Sequence, residues 1–181
     1  MTRTPVPAAL VAFACFLGAG PRAAWAQSNS ISADLKGDYQ GIRDYFTRAA
    51  EKMPEAKYGF RPSPDVRTFG QVVAHVADDQ YNLCAPAKRE VRKAAYTEIE
   101  NTLSSKADLV RALKEGFAYC DGAYDALTDA SGAEVVKSGR MTRFAMLNWN
   151  LWHTWEHYGN LVVYLRMNGL VPPTSEKMQM K

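Results

Sequence analysis

The stretch TRFAMLNWNLWHTWEHYGNLVVYLRMNG, residues 142–169, decides the fold class. Apolar residues recur along it at three- and four-residue spacing, the period of an α-helix. Gly169 is a natural C-terminal stop, and Pro172-Pro173 prevents continuation. The helix is apolar on two sides. Leu147, Leu151, Trp155, Tyr158 and Val162 share one face; Met146, Trp149, His153, His157 and Tyr164 share another. A helix that is apolar all round is covered all round. In a bundle one of these faces should meet solvent, so the pattern predicts a homodimer packed partly through this helix.

Three further helices read outward from it. Leu35, Tyr39, Ile42, Phe46, Ala49 and Met53 form an amphipathic stripe that ends near Met53-Pro54. Pro62 and Pro64 mark a connector. Thr68 with Gln71 fits a capping box and opens a second helix with the stripe Phe69, Val72, Val76 and Leu83, ending near Pro86. Residues 88–104 are mixed and polar, with room for a short helical turn. Ser105 and Asp108 suit the start of a third helix, with Leu109, Leu113, Phe117, Cys120, Tyr124 and Leu127 on its stripe. Ser131-Gly132 and Ser138-Gly139 punctuate a second connector. No segment shows a convincing period of two. The class is all-α, a four-helix bundle.

The N-terminus reads as a leader. Met1 to Arg3 supply a positive start, Val6 to Gly18 is mostly apolar, and Ala24-Trp25-Ala26 is an A-x-A cleavage signal. The apolar core is too short for a membrane span. Cys15 follows Ala12-Phe13-Ala14, a poor lipoprotein signal. Residues 1–26 are therefore expected to be a signal peptide cleaved after Ala26, and residues 27–181 one domain exported to a periplasm. The chain has 22 basic and 19 acidic residues, and Arg3 and Arg22 fall in the leader. No basic patch or tail stands out, so neither nucleic acid nor a membrane surface is an expected partner. Cys84 and Cys120 remain after cleavage. In an oxidising compartment such a pair suits a disulfide; two small buried side chains are the alternative.

The chain has only three histidines. His153 and His157 are four residues apart and project from one helix face, one turn apart. His75 lies on the second helix, at the edge of its stripe, with Asp79 one turn on. If that helix lies beside the last one, three imidazoles can share an ion and leave a coordination position open, as catalytic zinc sites do. Ring nitrogens more than about 5 Å apart would instead favour ordinary core histidines, since zinc–nitrogen contacts are about 2 Å. Imidazole suits Zn, Ni, Cu or Fe alike. Asp79 beside His75 and Glu156 beside His157 are candidate outer-shell residues that orient an imidazole or relay a proton; plain solvated charge is the other reading.

Other chemistries are excluded or weak. His153-Thr154-Trp155-Glu156-His157 matches H-x-x-E-H, but the peptidases with that motif take an acidic ligand well downstream, and few residues follow here. There is no C-x-x-C-H, and two ligands one turn apart cannot bind haem from opposite sides. No G-x-S-x-G or P-loop occurs. Chemistry on this chain would come from the metal.

Two blocks carry a family resemblance. Arg61-Pro62 through Val66-Arg67-Thr68-Phe69-Gly70 to Ala74-His75-Val76 is a proline-containing lead into a helix with one histidine. His153-x-x-x-His157-Tyr158-Gly159-Asn160 continues through Val163-Tyr164-Leu165-Arg166-Met167-Asn168-Gly169 to Pro172-Pro173. Together they resemble the DinB-like (YfiT-type) metalloenzymes. The resemblance implies a four-helix bundle with an up-down-down-up path. It implies His75, His153 and His157 as ligands of a divalent metal, Zn or Ni, at one end of a pocket. It also implies metal-dependent hydrolysis or thiol transfer on a small molecule; a non-catalytic metal- or ligand-binding module is the alternative. On the family path the second and third helices run parallel. Cys84 and Cys120 then lie at similar depths from Thr68 and Ser105, at about 1.5 Å per residue, which supports a Cys84–Cys120 disulfide.

Overall fold

A computed structural model describes residues 30–92, 94–136 and 141–176. The leader, its cleavage site after Ala26 and Cys15 lie outside the described residues. Six helices and no strand are found among them: α1 Ile31–Lys52, α2 Phe69–Ala87, α3 Glu98–Thr102, α4 Lys106–Asp125, α5 Asp129–Gly132 and α6 Arg143–Met167. None is long and apolar enough to cross a membrane. The four long helices are those the periodicity predicts, and α3 and α5 are single turns inside the two connectors.

Capping chemistry sets the ends. Thr68 and Gln71 form the expected reciprocal box, with Gln71 N–H donating to Thr68 Oγ1 over 3.2 Å and Thr68 N–H to Gln71 Oε1 over 2.9 Å. Ser105 accepts from Asp108 N–H at the start of α4, and Thr142 from Ala145 N–H at the start of α6. Gly169 takes a left-handed φ of 73°, and Leu170 N–H closes back on Leu165 C=O at 2.9 Å.

Cross-helix contacts give the helix directions. Leu109 lies against Gly70, and Gln80 and Ala77 against Gly116. Cys84 is bonded to Cys120. Numbers rise together on the two helices, so α2 and α4 are parallel, joined by the crossover that carries α3. A Cβ at Gly116 would come within 3.0 Å of Ala77 C=O, which shows how closely these two backbones approach. Along α6 the order reverses: Tyr164 Oη donates to Arg67 C=O, while Asn150 donates to Gln80. Likewise α1 runs against α4, Lys36 pairing with Asp125 and Lys106 donating to Met53 C=O.

One buried polar layer crosses the apolar core, apart from the buried histidines of α2 and α6 and the buried acids of α2. Asn150 Nδ2 donates to Gln80 Oε1 at 3.0 Å, and Tyr124 Oη donates to Asn150 Oδ1 at 3.0 Å. Tyr39 stacks on Tyr124 with centroids 3.8 Å apart. Each group in the layer has a partner, so the layer is tolerated and its pairing selects one alignment of α2, α4 and α6.

The disulfide Cys84–Cys120 ties α2 to α4 with a Cα separation of 5.3 Å, within the usual range. It spans 36 residues. Closing a loop of that length restrains the unfolded chain by about 4 kcal/mol in the entropic account, and measured losses are commonly about 2–4 kcal/mol. The Cys84→Ala, Cys120→Ala double variant is therefore expected to lose about that much in denaturant unfolding, with its helix content unchanged. An unshifted midpoint would count against the clamp.

On α6 the structure revises which face is left over. Met146, His157 and Tyr164 are buried, because the face they share with His153 packs against α2. The uncovered apolar residues form a different stripe: Trp149, Trp152, Trp155, Val163 and Met167.

Candidate metal centre

Burial and helix geometry bring all three histidines together. His75 sits on α2, buried, facing His153 and His157 across the α2–α6 contact. Each residue offers a ring nitrogen, and the three lie within 4.8 Å of one another. The Nε2 atoms of His153 and His157 are 3.2 Å apart. Two ligands at about 2.0–2.1 Å on a tetrahedral ion would be about 3.3 Å apart. The separation therefore suits a shared cation, and the reading of unconnected core histidines fails its distance criterion.

The outward nitrogens have polar partners. His153 Nδ1 lies 3.4 Å from Asp79 Oδ2, and the tautomer with its proton on Nδ1 would face that carboxylate and turn the Nε2 lone pair to the cluster. His157 Nδ1 is 3.4 Å from the Asn160 side-chain amide, which accepts the proton when its oxygen faces the ring. His75 lies between two carboxylates, Asp79 Oδ2 at 3.1 Å from Nε2 and Glu100 Oε2 at 3.7 Å from Nδ1. Whichever nitrogen is free of a proton, the other has a carboxylate nearby. As placed, Nδ1 is buried without a hydrogen-bond partner. Two carboxylates, Asp79 and Glu100, against the single charge of Arg67, which is bonded to Glu100, leave net negative charge beside the three rings. The residues present fit a divalent cation.

Electrostatics favours the neutral form of two of the three histidines. Burial, then His153 and His75, pushes His157 down to about 3 from an ordinary 6.5. Burial also lowers His75, partly opposed by Asp79 and Glu100. A ligand imidazole must be unprotonated, so these shifts keep it ready to bind in mildly acidic solution. The cost falls on the metal-free fold. Unfolded His157 takes a proton below about 6.5 while folded His157 does not, so acid favours the unfolded chain until about 3. Chelated protein should lose stability as pH falls through that window. His157→Gln should flatten the decline in thermal melts; an equal slope would refute it.

Of the two acids read as outer-shell candidates, only Asp79 reaches the cluster. It is buried, and its second oxygen accepts from Asn82 Nδ2 at 2.9 Å. Glu156 is exposed, and no hydrogen bond or ion pair joins it to a histidine among the described residues. As the residue before His157 it points about 100° round the helix.

Three residues escape the sequence reading: Glu100, Tyr96 and Asp78. Tyr96 approaches Asp79, and burial followed by that carboxylate raises its hydroxyl. Asp78, 1% exposed, holds the crossover in place. Its carboxylate accepts from Ile99 N–H at 3.2 Å and Glu100 N–H at 2.9 Å, and pairs with Arg92 at 2.5 Å. Thr97, at the start of α3, makes no side-chain cap, so α3 is capped from α2. The one available signal was the acidic pair Asp78-Asp79 within a helix that carries no other acidic and no Lys or Arg side chain. A cleft of about 610 Å³ between α2 and the crossover is lined by Arg61, Gln71, Ala74 and Glu100, and so reaches the cluster's edge.

Known structures share this architecture. A DinB-like protein from Bacillus cereus superposes with a TM-score of 0.66 at 15% identity, over 77% of this chain and 93% of that one. A DinB-like protein from Bacillus subtilis gives 0.62 at 21%, over 80% and 99%. A mycothiol-dependent maleylpyruvate isomerase gives 0.56 at 17%, over 72% of this chain and 59% of that one. At these identities the likeness is one of fold. No curated protein matches the sequence. The DinB superfamily profile matches residues 39–161, from α1 well into α6 and across all three histidines. The chain belongs to the DinB superfamily.

Proposed function

We propose that the chain binds one divalent cation, Zn or Ni, through His75, His153 and His157, and uses it for chemistry on a small molecule. The observation that carries this is the convergence of three ring nitrogens within 4.8 Å. Such a cation supplies Lewis-acid polarisation, which assists either hydrolysis or transfer of a thiol. Thiol transfer draws support from the shared fold with a mycothiol-dependent isomerase.

The chain's own groups would then do the following. Asp79 orients His153 and stands ready to hold a proton beside His75 and the Tyr96 hydroxyl. Glu100 and Asn160 orient the other two rings. Arg67 fixes Glu100, and Arg61 adds a positive charge to the cleft lining. Action in a periplasm, after removal of residues 1–26, is part of the same proposal.

The test is turnover. Protein stripped with chelator is reloaded with Zn or Ni and assayed on ester, amide and thiol-conjugate panels. Activity that returns with the metal and fails in Asp79→Asn supports an enzyme. Tight binding without turnover on any panel supports a non-catalytic metal-binding module.

A further inference from the structure

We infer that the tryptophan stripe of α6 is the contact face of a homodimer. Trp149, Trp152, Trp155, Val163 and Met167 are 37%, 50%, 40%, 50% and 58% exposed. Taking about 150–250 Å² for a large aromatic side chain, the stripe shows roughly 500 Å² of apolar surface. That is at the upper end of what a lone chain exposes as one patch, and monomers rarely exceed it. It runs about 27 Å along the helix at 1.5 Å per residue.

Two observations favour a second copy over other occupants. The first is Gly159, in the middle of the stripe. A helix-interior glycine weakens a helix by about 1 kcal/mol relative to alanine. Nothing among the described residues explains it, for a Cβ there would meet none of their atoms within 4 Å. It does leave room for another backbone to approach. The second is symmetry. Two α6 helices crossing antiparallel about a two-fold axis near Gly159 bring Trp152 and Trp155 of each copy to the level of Val163 and Met167 of the other. The same crossing puts Arg166 at the level of Trp152, a cation–π pairing. One patch thus serves as both halves of a closed interface. With its polar rim, such a contact can approach the roughly 800 Å² per partner of a stable complex. The two charges that fall within the stripe, Glu156 and Arg166, cancel, unlike the basic flank of a membrane-binding helix.

The interface would also border the histidine cluster, because the Trp152 ring stands edge-on to His153 with centroids 6.0 Å apart. The dimer itself does not depend on metal.

Light scattering after gel filtration, between about 1 and 100 µM, tests the inference on the purified protein and its variants. Wild type should have twice the chain mass at the upper end. Trp152→Glu should weaken association at least about 30-fold, as loss of an interface anchor does. Gly159→Ala should act in two directions. It should weaken association, and it should raise the melting temperature of dilute, dissociated protein because the helix improves. A single-chain mass at 100 µM would overturn the inference. So would a dimer indifferent to both changes, or a single chain whose tryptophan emission shifts only on adding phosphatidylcholine–phosphatidylglycerol vesicles.

Discussion

His153→Ala should abolish stoichiometric metal binding while the far-UV spectrum stays that of a helical bundle. His153 contributes one of three ring nitrogens and stands 3.2 Å from His157. Its side chain is 18% exposed, so the space left by truncation borders solvent and is not sealed inside the core. Removing an outer partner of a ligand weakens affinity by about 10–100-fold. Removing the ligand itself should exceed that. Glu100→Gln is the control: it keeps the shape beside His75 Nδ1 and should stay within the smaller range. Metal content by mass spectrometry and isothermal titration gives both values. Unchanged binding in His153→Ala would sink the three-histidine assignment.

Asp78→Ala should cost about 3–5 kcal/mol, the largest loss expected from one polar substitution here. Removing one partner of a buried ion pair strands the other, and the Arg92 side chain is only 13% exposed. Two backbone N–H groups, of Ile99 and Glu100, lose their acceptor at the same time. The crossover should then loosen before the bundle does, since its own cap is missing. Hydrogen exchange should show Ile99 and Glu100 amides losing protection while those of α1 keep theirs. Uniform loss across the chain would mean that Asp78 supports the bundle as a whole instead.

The long helices were legible because each has a local start and stop. Thr68-Gln71, Ser105-Asp108 and Gly169 act through hydrogen bonds within a few residues, so a linear reading finds them. The histidine trio was legible because His153 and His157 repeat at the helix period and His75 lies on a helix with a clear stripe. Glu100 and Asp78 were not, because their partners are distant in sequence and belong to the crossover. Glu156 misled because adjacency to His157 in sequence is not adjacency on a helix. The second apolar face of α6 was read at the wrong angle. Its spacing alone could not say which flank α2 covers, and the tryptophans were divided between two faces when the structure leaves them together outside.

The capping of α3 from α2 bears on how this chain can diversify. A helical turn that relied on its own residues would resist change throughout. Here the instruction lies in Asp78 on a core helix, and it grips backbone N–H groups whose chemistry is the same for nearly any side chain. The side chains carried by the crossover, such as Tyr96 and Glu98, are therefore open to substitution with little penalty to the bundle. The histidines sit on α2 and α6, on the other side of that divide. Drift in the crossover outside Glu100 can retune what the cleft admits while the three histidines stay fixed, so related sequences should differ most there and least around His75, His153, His157 and Glu100.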